Sequence, residues 1–81
     1  MTAQSSAPIS PRAAAQAWIA DTLRTYLHPQ IGSEERIQFL AAGIEEDCHQ
    51  RNISIESALT MAVELCEEQN EEAGLSHAAQ N

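Results

Sequence analysis

Apolar residues between Ser33 and Glu72 recur three and four positions apart in two blocks, the spacing that lines one side of an α-helix. The first block is Ile37, Leu40, Ala41, Ile44 and Cys48. It follows Ser33, a good N-cap, and Glu34-Glu35, which suit the positive end of a helix dipole. These features predict a helix over 34–50. The second block is Ile55, Ala58, Leu59, Ala62, Leu65 and Cys66, capped by Ser54 and predicting a helix over 55–72. Arg51-Asn52-Ile53-Ser54 is the tight connection between them, and Gly74 is a suitable terminator. An earlier block, Ala15, Trp18, Ile19, Thr22, Leu23 and Tyr26, follows Ser10-Pro11, a cap and a residue suited to the first helical position. Pro29 ends this helix at about Leu27 or His28, because the residue before a proline is pushed out of the helical region.

The predicted class is all-α. Short connectors favour a small up-down-up three-helix bundle. The alternative is a hairpin of the second and third helices that dimerises, with the first packed across it. The domain is expected over 10–72, between a disordered N-terminal tail, 1–9, and a flexible C-terminal tail, 73–81. Four acids in Glu67-Glu68-Gln69-Asn70-Glu71-Glu72 oppose the dipole, so the last turn is expected to fray. With one Trp, one Phe and one Tyr, the 81-residue chain has a thin core of the kind often completed by dimerisation or a partner.

The net charge of −8 is unevenly placed. Residues 1–33 carry Arg12, Arg24 and Asp21; residues 34–81 carry 11 acids against Arg36 and Arg51. Direct nucleic-acid binding needs clustered Lys or Arg and is not expected. A DNA-reading helix-turn-helix is disfavoured too, since the third helix has no basic residue. An anionic membrane surface is not expected on the same ground, and no run approaches the ~20 apolar residues of a span. The favoured partner is a protein with a basic surface. Met1 to Ser6 lacks the basic and apolar regions of a signal peptide, so a cytoplasmic location with reduced cysteines is expected.

Candidate chemistry is sparse. Cys48, His49, Cys66 and His77 have no metal-ligand spacing, so no metal or cofactor is expected. In an antiparallel hairpin turning at Ile53, Cys48 and Cys66 are offset by about 12 Å along the axis, too far for a disulfide. Both are expected as free core thiols, unsuited to nucleophilic catalysis in acidic surroundings. Glu45-Glu46-Asp47 and Glu67-Glu68 read as solvated helix faces. With no Gly-rich phosphate loop either, the chain is not expected to be an enzyme.

Two large apolar residues fall off their core stripes. At about 100° per residue, Phe39 lies some 200° from Ile37, with Gly43 one turn on and Ala42 beside it. Either the first helix covers Phe39, or a partner does. Met61 falls among Glu64, Glu68 and Glu72, with Leu65 at the boundary, an apolar centre with a charged rim. The expected function is therefore a non-enzymatic protein-interaction module: an adaptor, regulatory subunit or chaperone-like protein. It would dock through Phe39, Ala42, Gly43, Met61 and Leu65, with a homodimer as one form of that contact. The alternative is an acidic mimic of nucleic acid, such as a phage-type antagonist of a DNA- or RNA-binding protein. That reading uses Glu64, Glu67, Glu68, Glu71 and Glu72, which span about 140° of one face.

Overall fold

Three serines start the three helices. In a computed structural model that describes residues 10–75, α1 spans Pro11–Tyr26, α2 Glu34–Gln50 and α3 Ile55–Glu72. The hydroxyls of Ser10, Ser33 and Ser54 accept from the backbone N–H groups of Ala13, Arg36 and Ser57, at 3.1, 3.2 and 3.2 Å. Each satisfies one of the donors that a helix start leaves open. Residues 1–9 and 76–81, read from the sequence as tails, lie outside the described residues.

The two acidic helices end in the same way. In α2, Asn52 takes a positive φ of 57°, the Ile53 N–H donates to Cys48 O at 2.8 Å, and the Asn52 N–H donates to His49 O at 3.3 Å. In α3, Gly74 takes φ 76°, and the Leu75 and Gly74 N–H groups donate to Asn70 O and Glu71 O at 2.7 and 3.0 Å. Both are Schellman closures, in which a left-handed residue folds the chain back onto the last carbonyls. The closure holds α3 helical through Glu72, despite the carboxylates that oppose its dipole.

Helix α1 ends differently and slightly early, at Tyr26, with Leu27 already extended. Its end is capped from α3. The Asn70 side chain accepts from the His28 N–H at 2.9 Å and donates to Tyr26 O at 3.0 Å. One amide thus satisfies two orphaned backbone groups and ties the first connector to the third helix.

Helix α1 packs along both α2 and α3, which touch each other less. The architecture is a three-helix bundle rather than a hairpin with a helix laid across it. Its core holds Ile19, Ala20, Leu23 and Leu27 from α1 and the start of the connector. Ile37, Ala41 and Cys48 come from α2, and Ala58, Ala62 and Cys66 from α3. The stripes read for α2 and α3 thus place their most buried residues correctly, while Leu40, Ile44, Ile55, Leu59 and Leu65 are half-buried at the edges.

The stripe read for α1 requires correction. Trp18 and Tyr26, read as core, are 58% and 53% exposed. The helix is rotated so that Leu23 is at the centre of its buried face, flanked by Ile19, Leu27 and Ala20. The small facing residues Ala41, Ala58 and Ala62 let the helices approach closely, leaving no room for rings. No helix among the described residues is long and apolar enough to cross a membrane.

Asn70→Ala is expected to destabilise the fold by about 1–3 kcal/mol, because it strands two backbone groups at once. Asn70→Asp should recover only part of this, since it keeps the acceptor for His28 but loses the donor to Tyr26 O. Urea unfolding of the three chains, followed by circular dichroism, measures both effects.

Candidate functional site

The outer side of the α2–α3 pair, away from α1, carries an open apolar groove of about 590 Å³. Along α2 it is lined by Phe39, Leu40, Ala42, Gly43 and Ile44, and along α3 by Met61 and Leu65. All five apolar residues singled out from the sequence therefore line a single depression. Helix α1 does not cover Phe39, which is 77% exposed. Leu40, Ile44 and Met61 are half-buried and pack inward against the core, forming the floor. A Cβ built on Gly43 meets nothing within 4 Å, so no neighbour in this chain requires a glycine there.

Sequence reasoning missed Leu40 and Ile44 as groove residues because they sit at the edge of the core stripe. They do both tasks: one side of each packs inward and the other is open.

Carboxylates form the rim. Glu46 and Asp47 border the groove on α2. On α3, Glu64 and Glu68 border an adjoining depression that shares Ile44, Met61 and Leu65. The other acids of the predicted acidic face, Glu67, Glu71 and Glu72, are exposed on α3 but do not line the groove.

The arginines divide this rim: Glu46 and Asp47 on α2 are ion-paired within the chain, whereas Glu64 and Glu68 on α3 have no ion-pair partner among the described residues. Arg12 grips Glu45 through Nε at 2.8 Å and Nη2 at 2.9 Å, and reaches Glu46 at 2.5 Å. Arg24 joins Glu34 of α2 at 2.7 Å and Asp21 of its own helix at 2.5 Å. Arg51 sits 3.4 Å from Asp47, and Arg36 donates to the side chain of Gln69. None of Glu64, Glu67, Glu68, Glu71 and Glu72 has an ion-pair partner among the described residues.

Glu45 is a correction to the sequence reading. Its place in the run Glu45-Glu46-Asp47 predicts a solvated side chain, but it is only 8% exposed. It borders a 190 Å³ cavity at one end of the bundle, with Arg12, Ile19, Cys48, His49 and Ile53 among its neighbours. The bidentate Arg12 contact holds its carboxyl below the usual range. A carboxylate held ionised this way is a poor proton acceptor. Burial pushes the Cys48 thiol up and the Cys66 thiol to about 11, so neither is primed for attack. Both are free and buried. The cavity is also smaller than the ~300–1,000 Å³ of ordinary ligand sites. Among the described residues, no three His, Cys, Asp or Glu side chains gather where a metal ion could be held; His77 lies outside them.

Comparison with protein-family models, curated proteins and solved structures yields no match to this chain.

The ion pairs set an acid limit on stability. Arginine hydrogen bonds lower the carboxyl pKa of Glu45 and Glu46, and that of Glu34 falls to about 2. A lowered folded-state pKa stabilises the fold above the unfolded carboxylate pKa, and that stability disappears as pH falls through the folded value. Melting temperature should therefore be flat near neutrality, fall below about pH 4.5, and keep falling towards pH 2. Arg12→Gln should be less stable at pH 7 and should lose less on acidification. Parallel acid and neutral melts of the two chains test the sign.

Proposed function

We propose that this chain is a non-enzymatic protein-interaction module whose docking surface is the α2–α3 groove. One observation carries the reading: Phe39, Gly43, Met61 and Leu65, from two helices, converge on a single open apolar surface with a carboxylate rim. Contiguous exposed apolar surface rimmed by polar groups is typical of interaction sites. Fully burying an exposed Phe is worth about 1.5–3 kcal/mol, and Phe39, 77% exposed, can supply most of that, roughly tenfold or more in affinity. The rim favours a partner with a basic surface. Two free, buried thiols fit work in a reducing compartment such as the cytoplasm.

A second reading, an acidic mimic of nucleic acid, draws on the unpaired α3 carboxylates. It ranks below the first because it leaves Phe39 and Gly43 without a role. The two readings differ in salt dependence. Charge-only binding collapses as salt rises, whereas an apolar contact persists in weakened form.

Two substitutions separate interface from core. Phe39→Asp should leave stability within about 0.5 kcal/mol of wild type, as expected of an exposed helix position, and should abolish partner retention. Gly43→Gln should raise stability by about 0.5–1 kcal/mol, because a good helix former replaces glycine in open space, and should also block partner approach. Affinity capture from cell lysate with the three chains, alongside their melting curves, makes the comparison. Partners retained equally by all three would contradict the reading, as would unfolding of the Phe39→Asp chain.

A further inference from the structure

The walls of the α2–α3 groove restrict what can fill it. Its floor is formed by Leu40, Ile44 and Met61, which offer no backbone hydrogen-bonding edge. An extended peptide laid there would leave its own N–H and C=O groups unpaired against apolar side chains. Strand addition needs a sheet edge, and the described residues contain only helices. A helix satisfies its backbone internally and needs only an apolar stripe to present. At Gly43 the groove wall has no side chain, so an incoming helix can approach closely in a way that a larger residue would prevent.

The charge decides which helix. Glu64 and Glu68 stand one turn apart on the α3 side with no ion-pair partner among the described residues, whereas Glu46 and Asp47 on the α2 side are held by Arg12 and Arg51. Like charges at this spacing repel along a helix, and cations from a partner would relieve that. A second copy of this chain would set carboxylate rim against carboxylate rim. Three of its four arginines are already held in ion pairs within the chain.

Resting on the reading of the groove as the docking surface, we infer that its occupant is a basic amphipathic helix of a partner protein, which completes a four-helix bundle. Its apolar stripe lies on Phe39, Met61 and Leu65, and its Lys or Arg residues face Glu64 and Glu68. The α2 wall, from Phe39 to Asp47, is about 12 Å long and accommodates two to three turns. Apolar residues at i, i+4 and i+7 with basic residues on the flank that faces α3 are the expected pattern.

The test uses the full chain and a labelled synthetic peptide of about 16 residues, Leu/Ala on one face and Lys on one flank, long enough for four turns. A control of the same composition is interrupted by a central proline. Fluorescence anisotropy reads binding, and circular dichroism reads peptide helicity. The helical peptide should bind and gain helicity. Phe39→Asp should weaken it about tenfold or more, and Glu64→Gln with Glu68→Gln severalfold. Raising salt to about 0.5 M should also weaken it. Failure of the helical peptide to bind overturns the inference. Equal binding of the proline-interrupted peptide, still sensitive to Phe39→Asp, overturns the helical occupant while the groove stands. Binding indifferent to Phe39→Asp overturns both the occupant and the groove. A dimer by sedimentation that Phe39→Asp dissociates makes the second copy the occupant and overturns the inference.

Discussion

Everything in this fold follows from how little space its core encloses. Among the described residues ten apolar ones are buried, and six of them are small: Ala20, Ala41, Ala58, Ala62, Cys48 and Cys66. The large ones are Ile19, Leu23, Leu27 and Ile37, and further bulk comes from half-buried aliphatic residues at the edge, among them Leu40, Ile44 and Met61. Small residues on α2 and α3 draw both helices close to α1, and close helices exclude large side chains from between them. The chain has one Trp, one Tyr and one Phe, and each ring is more than half exposed. In small domains aromatic rings normally provide much of the buried apolar area. Here they lie outside, Phe39 at the groove and Trp18 and Tyr26 on the outer flank of α1.

The same economy governs the charges. Arg12 and Arg24 both join α1 to α2, at opposite ends of the contact, through Glu45 and Glu34. Arg51 serves Asp47 within α2. Every arginine ion pair lies on the first two helices or at the end of α2, Arg36 reaches α3 only at the neutral Gln69, and among the described residues the acids of α3 have no ion pair. Fold and surface are thus linked: the pairs that fasten α1 also leave the α3 side of the groove negative. An apolar floor with one strongly acidic wall follows from a chain with few cations, whose core has no place for Phe39.

Much of this was legible in the sequence, and the parts that were not share a cause. The caps Ser10, Ser33 and Ser54 and the terminator Gly74 depend on neighbours within a few residues, and they were read correctly. Phe39 and Gly43 were found from helical periodicity, another local signal. The stripe of α1 failed because Trp18, Ile19, Thr22, Leu23 and Tyr26 span a broad arc, and periodicity does not say which edge turns inward. The size of the residues across the interface decides that, and those residues lie on other helices. Glu45 and Asn70 were missed because their partners, Arg12 and the end of α1, are more than thirty residues away in the chain. A carboxylate inside Glu45-Glu46-Asp47 is indistinguishable from its neighbours until the tertiary fold brings Arg12 to it.

The central claim is that the core closes without any of the three rings. Replacing Trp18, Tyr26 and Phe39 together with Gln, and measuring unfolding by urea with circular dichroism as the probe, tests it most directly. If the rings lie outside, the triple variant keeps its helicity and a cooperative transition, and loses no more than about 1.5 kcal/mol, the sum of three surface changes. A loss of several kcal/mol, or a broad transition without a native baseline, would mean that at least one ring is part of the core and that the packing described here is wrong.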